Sequence, residues 1–305
     1  MNRLFASIQI VRPLNMILSL CAVFIAGWLV NDITSPLLPY TALVVLCFAG
    51  ASNILNDVLD INIDKINRPN RMLPSGHLKI QEALLLMSIL YALGIMATSY
   101  LHPLGQKIAL ALVLPLLALY TPLFKRLPFI GNLVVGAILG LVFIFTEGAI
   151  MGNVDKMWIP FCLATTLSSI RELVKDAADM EGDAVGDLQT FPRKYGLITT
   201  LWLLRILTIA LCFGATIPWF EGWYGNYYLF LLIGGVALPS LYAVFILLQE
   251  TSTSEDYAII AQIFKGTTIG GMIVIFLQDF DELRIVSTLL NATFLGIKYK
   301  NLNIN

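Results

Sequence analysis

An all-α, polytopic membrane fold is predicted by three features of the chain. It is 58% hydrophobic and only 13% charged, where a soluble domain is about 25% charged. Mean hydropathy is +0.80, and the apolar residues fall into runs close to the roughly 20 residues a helix needs to cross hydrocarbon. Basic residues collect on alternate connections, the pattern that fixes topology in a bilayer.

The runs predict about nine transmembrane helices, at roughly 14–31, 38–57, 80–101, 106–124, 130–150, 157–177, 197–218, 227–249 and 260–278. The first run lacks a small-residue cleavage site and reads as a retained span. Most connections are short, but those at about 58–79 and 178–196 are long, and long connections in compact folds tend to carry function. With the N-terminus inside, the cytoplasmic side carries Arg3, Arg12, Lys65, Arg68, Arg71, Lys79, Lys125, Arg126, Arg171, Lys175, Arg193, Lys194 and Lys265, against Lys107 and Lys156 opposite. Trp219, Trp223, Tyr224, Tyr227 and Tyr228 read as an interfacial aromatic belt on the far side. Residues 1–280 are expected to form one transmembrane domain. Residues 281–305 form a tail, read either as an interfacial helix or as a tenth, tilted segment.

Composition narrows the function. A net charge of −1 and a pI near 6.1 give no basic field for nucleic acid. Cys21, Cys47, Cys162 and Cys212 each sit in an apolar run without a C-x-x-C partner, so they read as small core residues. His77 and His102 stand alone and read as loop residues. Arg205 is isolated in the seventh span and reads as snorkelling or paired with an acid. No P-loop, G-x-S-x-G or dinucleotide glycine pattern stands in a strand-turn-helix context.

One acidic pattern occurs twice. The first copy is Asn56-Asp57-x-x-Asp60-x-x-x-Asp64; the second is Asp176-x-x-Asp179-x-x-x-Asp183. Carboxylates three and four residues apart share one side of a helix, and Asn53, Asn56, Asp57, Asp60 and Asp64 fall within an arc of roughly 100°. Ionisable groups at membrane depth are costly and default to a functional reading. Two carboxylate stripes facing one chamber, with Asn56, Asp57, Asp60, Asp64, Asp176, Asp179 and Asp183 as candidate ligands, would hold Mg²⁺, which takes few protein carboxylates and completes its shell with water and phosphate oxygens. Such a site suits a diphosphate as leaving group, with an apolar chain lying between the spans.

Cationic groups follow the acids. Arg68 and Arg71 stand in a Pro- and Gly-bearing loop directly after the first stripe, where guanidinium forks suit phosphate oxygens. Tyr120 and the pair Lys125-Arg126 follow the fourth span; the Tyr120 ring could stabilise a cation. Arg171 and Lys175 precede the second stripe, and Arg193 and Lys194 follow it. Asn15, after Arg12-Pro13, is a polar residue at the mouth of the first span. Asn15, Asn53, Arg68, Arg71, Lys125, Arg126, Arg171 and Lys175 are the candidate substrate contacts.

These residues resemble the UbiA superfamily of intramembrane prenyltransferases. The resemblance covers about 5–280 and rests on Arg12-Pro13-x-Asn15, NDVLDINIDKINRPNRMLPSG at 56–76, Tyr120 with Lys125-Arg126, and RELVKDAADMEGDAVGDLQTFPRKYG at 171–196. The wording of the second motif is most similar to the digeranylgeranylglyceryl phosphate synthase branch. The resemblance implies helices around a central cavity, a cytoplasmic-side cap over the acidic loops, and dependence on magnesium. It assigns Asn56, Asp60, Asp64, Asp179 and Asp183 to metal and diphosphate, Asp57 and Asp176 to associated acidic positions, and Arg68, Lys125 and Arg171 to diphosphate or acceptor. The expected reaction transfers a polyprenyl group, geranylgeranyl first, from its diphosphate to a lipophilic acceptor at the cytoplasmic face of the cell membrane. The acceptor is expected to be the hydroxyl of geranylgeranylglyceryl phosphate, with an aromatic ring as the alternative. A transporter is the reading from another class; it predicts charges spread through the membrane depth, whereas here they gather at one face.

Overall fold

The computed structural model describes residues 3–278, and all regular structure among them is helical. The expected tail, 281–305, lies outside the described residues. Helix α1 (Arg3–Ile10) meets α2 (Pro13–Leu29) at a 48° bend. Pro13 disfavours a helical conformation at the residue before it, and Arg12 sits there at φ 59°. The break is tied down from α3 (Leu38–Leu59), where Asn53 Nδ2 donates to the Val11 carbonyl at 3.0 Å.

The chain continues through α4 (Ile61–Asn67), α5 (Ile80–Thr98), α6 (Pro103–Tyr120), α7 (Ile130–Ile150), α8 (Trp158–Ala178), α9 (Met180–Val185), α10 (Phe191–Tyr195), α11 (Leu197–Phe220), α12 (Asn226–Leu247) and α13 (Ser254–Phe276). Two of these helices contain π turns. Ile108–Val113 precedes Pro115 in α6, and Ile233–Ala237 and Ala243–Leu247 flank Pro239 in α12. A proline lacks an N–H and crowds the carbonyl one turn back; a wider turn is one way a helix absorbs that without stopping.

Among the described residues, seven helices are long and apolar enough to cross a membrane, or eight if the bent α1–α2 pair is one span. The expected nine is not reached. The segment that falls short is α8, which is 21 residues long but carries Arg171, Glu172, Lys175 and Asp176 in its last turns. It is as long as the helices that pass but gives up hydropathy for charge at one end.

Small residues set the closest approach. A Cβ on Gly136 would lie 2.2 Å from Ser169 Oγ, and one on Gly140 would lie 2.4 Å from Thr165 Oγ1, so α7 and α8 meet almost backbone to backbone. Apolar cores lie on either side of this pair. One gathers Leu173, Leu204, Tyr228 and Phe264; the other gathers Val23, Phe48, Leu117 and Phe145. The aromatic belt is only partly one: Trp223 and Tyr227 are exposed, but Tyr224 and Tyr228 are buried, and the Tyr228 hydroxyl donates to the Ala215 carbonyl at 2.7 Å. Arg205 pairs with no acid among the described residues. Its guanidinium donates to the Val244 and Leu248 carbonyls at 3.1 and 3.3 Å, closing the end of α12. All four cysteines are free.

Gly136→Val is expected to destabilise the protein by about 1–3 kcal/mol through overpacking, read as a lower melting temperature in detergent. Gly214→Ala, where a Cβ meets nothing within 4 Å, is expected to be neutral or stabilising by up to about 1 kcal/mol.

Candidate active site at two acidic helix ends

Both acidic stripes are broken in the same way. α3 stops at Leu59 and α4 starts at Ile61; α8 stops at Ala178 and α9 starts at Met180. The junction residues are the middle carboxylates, Asp60 at φ −93°, ψ 9° and Asp179 at φ −95°, ψ 10°. Each stays in the backbone ladder: Asp60 N–H donates to Asn56 and Asp179 N–H to Lys175, while the Asp60 and Asp179 carbonyls accept from Asp64 and Asp183. Each stripe, expected from spacing as one continuous run, is therefore corrected to the end of a long helix and a short helix joined at an aspartate.

The short helices dock on each other. Asn67, ending α4, donates through Nδ2 to the Asp179 carbonyl and accepts from the Gly182 N–H, both at 3.0 Å. A Cβ on Gly182 would lie 2.4 Å from the Asn67 amide, so only glycine allows this contact. Arg68, the next residue, reaches Asp179 Oδ2 at 2.5 Å. The two acidic segments, far apart in sequence, thus share one side of the bundle.

Each carboxylate has its own partner. Asp57 accepts from Arg12 and from Arg71 Nη1 at 3.0 Å, and Arg71 also reaches Asp64 Oδ2 at 2.6 Å. Lys125 Nζ lies 2.6 Å from Asp60. Asn132, buried on α7, donates to Asp176 at 2.7 Å. Asp183 accepts from Thr190 Oγ1 at 3.3 Å, while Arg193 donates to its carbonyl at 3.0 Å. Burial pushes the Asp183 carboxyl up to about 6; nearby Lys125 opposes this, and Asp179 and Asp60 add to it. Thr121 donates to the Asn56 side chain. Tyr120, half-buried at the end of α6, stands within electrostatic reach of Glu172, Asp176, Asp60 and Asp183.

The predicted cluster therefore assembles, with exceptions. Arg126 is exposed in the turn Phe124–Arg126 while its neighbour Lys125 turns inward. Asn53 is occupied by the Val11 carbonyl, and Asn15 is half-buried in the first turn of α2. Lys175 and Arg171 lie 2.6 and 3.6 Å from Glu172. Sequence spacing did not single out Asn67, Thr121, Asn132, Glu172 or Thr190 as functional, because each takes its role from a contact between distant segments. Arg12 carried a signal in its proline neighbour but was not read as the partner of Asp57.

Among the described residues, no three acidic, histidine or cysteine side chains converge as a ready metal cage. The donors are hard oxygens presented singly: Asp57, Asp60, Asp64 and Asp179 meet cations, Asp176 an amide, and Asn56 and Asp183 hydroxyls. That fits a metal such as Mg²⁺, which keeps water and takes most of its other ligands from phosphate.

Comparison with known proteins gives the same direction. The UbiA prenyltransferase family model matches residues 15–265. The digeranylgeranylglyceryl phosphate synthase of Natronomonas pharaonis is 31% identical over 234 residues, covering 76% of this chain and 84% of that protein. A solved structure described as giving insight into digeranylgeranylglyceryl phosphate synthase in membranes aligns with TM-score 0.69 at 27% identity, over 91% of this chain and 99% of that one. A UbiA homologue from Archaeoglobus fulgidus, bound to GPP and Mg²⁺, shares the fold with TM-score 0.62 at 16% identity, over 88% and 99% of the two chains. With the family match extending over most of its length, this chain is a membrane-embedded member of the UbiA prenyltransferase family.

Proposed function

We propose that the chain transfers a geranylgeranyl group from its diphosphate to the hydroxyl of geranylgeranylglyceryl phosphate, forming an ether lipid at the cytoplasmic face of the membrane. The observation that carries this is the docking of two acid-bearing helix ends through Asn67–Gly182 and Arg68–Asp179. It gathers oxygen donors and guanidinium groups at one mouth of an apolar bundle. The names of the relatives support the acceptor, and the crowding of basic residues on one side supports the sidedness.

Asp60, Asp64, Asp179 and Asp183, with Asn56, are the residues that would hold magnesium. When bound, magnesium neutralises charge building on the departing diphosphate. Lys125, Arg68 and Arg71 pair with Asp60, Asp179 and Asp64. On substrate binding they are free to turn to phosphate oxygens, for which guanidinium forks are suited. The cations thus hold the acids together before the reaction and hold the leaving group during it. Asp57 and Asp176 stay bound to Arg12 and Asn132 and keep the frame. The C1–oxygen bond to diphosphate breaks, the acceptor oxygen bonds to C1, and its proton passes to a carboxylate or to the departing diphosphate. Tyr120 presents a ring where positive charge develops, an arrangement aromatic faces stabilise.

Asp60→Ala and Asp179→Ala are expected to insert normally and lose magnesium-dependent diphosphate release by at least about a hundredfold. Wild-type turnover in either variant would end the two-segment scheme. Arg71→Gln leaves Asp57 and Asp64, both nearly fully buried, without their shared cation, and should cost about 3–5 kcal/mol of stability. Arg68→Gln breaks a pair whose arginine is 35% exposed, so it should cost only about 0–1 kcal/mol while raising KM for the diphosphate. Thermal unfolding in detergent, set beside donor KM, separates the two.

A further inference from the structure

Two apolar clefts enter the bundle from opposite sides of α7. The first lies between α2, α3, α6 and α7 and is bordered by Phe48, Ala49, Ala109, Val113, Leu117 and Phe145. Leu117 lies one turn below Thr121, and Ala49 two turns below Asn56, so this cleft runs beneath the Asn56–Thr121 and Asp60–Lys125 contacts. The second lies between α7, α8, α11, α12 and α13 and is bordered by Phe143, Leu167, Ser168, Ala215, Val236 and Met272. Each holds only about 60 Å³ of open space. Each is also walled by a π turn, Ile108–Val113 in the first and Ile233–Ala237 in the second. Such turns recur at functional sites because their weakened ladder lets a helix shift.

What stands above the second cleft differs from what stands above the first. On α8, Ala164, Leu167 and Ser168 border the cleft, and Arg171 and Lys175 continue the same stripe at helical spacing. The other site cations are matched to stripe acids: Arg12 and Arg71 to Asp57, Arg71 also to Asp64, Lys125 to Asp60, and Arg68 to Asp179. Arg171 and Lys175 instead share Glu172, which Lys175 Nζ takes at 2.6 Å. Arg171 Nη1 remains 3.6 Å away, beyond hydrogen-bond distance, and its Nε is buried without a partner. Arg12 also leaves its Nε unpaired, but its Nη2 holds Asp57. Arg171 is thus a partly buried guanidinium with no hydrogen bond among the described residues, standing over an apolar slot. Asp176, one turn past Glu172 on the same helix, is taken by Asn132.

We propose that Arg171, assisted by Lys175, holds the phosphate of the acceptor lipid, and that the acceptor's chain occupies the cleft behind α7 while the donor's chain occupies the cleft before it. This rests on the acceptor proposed above. A monophosphate on an apolar chain matches a guanidinium over an apolar slot. A diphosphate needing metal matches the acid-bearing side. α7 becomes the partition between two chains of the same kind, and specificity comes from the head groups above it. The heads meet beside Arg68, which touches Asp179 and lies within electrostatic range of Glu172.

The test is steady-state kinetics of the purified full chain with geranylgeranyl diphosphate and two acceptors, geranylgeranylglyceryl phosphate and its dephosphorylated alcohol. Arg171→Gln should raise KM for the phosphorylated acceptor roughly ten- to a hundredfold, the worth of a hydrogen-bonded charge. Donor KM should hold steady, preference for phosphate over alcohol should collapse, and Arg171→Lys should restore part of it. Ala164→Phe should raise acceptor KM alone and Ala49→Phe donor KM alone, with folding of each variant verified by thermal unfolding. Retained phosphate preference in Arg171→Gln, or a rise confined to donor KM, overturns the assignment while leaving the proposed reaction intact. A wild-type protein that ignores geranylgeranylglyceryl phosphate and prenylates an aromatic ring instead removes the reaction and the assignment together.

Discussion

Like charge is the constraint from which this architecture follows. Two acid-bearing helix ends must meet at the edge of a bilayer, where the dielectric is low and each pair of close carboxylates repels by roughly 4 kcal/mol at 4 Å and intermediate screening. They meet because the loops that follow the helices carry counter-charge. Arg71 bridges Asp57 and Asp64 within the first segment, and Arg68 crosses to Asp179 in the second. Lys125, from a third segment, closes on Asp60. Asn67 supplies the neutral part of the joint, accepting from the Gly182 N–H and giving the Asp179 carbonyl a second donor beside the Asp183 N–H. Removing a cation therefore loosens the frame as well as the binding surface.

The apolar body serves that joint. Gly136 and Gly140 let α7 approach α8 closely enough for Asn132 to reach Asp176, so the packing of two helix faces fixes one carboxylate of the site. On the other side, Asn53 holds the broken corner at Val11, and the same corner delivers Arg12 to Asp57. Arg12 adopts a left-handed backbone ahead of a proline, an unfavourable conformation that persists where surrounding contacts over-determine it. The ion pair with a nearly fully buried aspartate is such a contact.

Much of this was legible in the sequence, for physical reasons. A helix lying wholly in hydrocarbon must be apolar along its length, so α3, α5, α6, α7, α11, α12 and α13 stand out as runs. Charges are so costly at membrane depth that Asp57, Asp60, Asp176 and Asp179 stand out just as clearly. The hinge at Asp60 and Asp179 did not show, because neither break carries proline or glycine: VLDIN and AADME read as unbroken helix. The break is imposed by the docking of α4 on α9, a contact between segments over a hundred residues apart. The same distance hid Thr121 beneath Asn56 and Thr190 beside Asp183. Arg126 and Lys125 are adjacent cations that spacing could not rank; the turn at Phe124–Arg126 sends one to Asp60 and the other to solvent. The expected sixth span, 157–177, is present as α8 but is less apolar than the others, because its last turns carry Arg171, Glu172, Lys175 and Asp176.

In the proposed reaction, the charged end of α8 bears on where chemistry would occur. A reactive carbocation needs dry surroundings, whereas a diphosphate needs ions and water. A site in mid-bilayer would serve the first and make the second prohibitively costly. A site in the aqueous phase would do the reverse. Helices that end in carboxylates at the interface, with apolar clefts directly beneath, serve both within about two helical turns, roughly 10 Å. On the proposed reaction, the charged heads would stay where Lys and Arg can hold them, the chains would stay in hydrocarbon, and the bond to be broken would lie at the boundary.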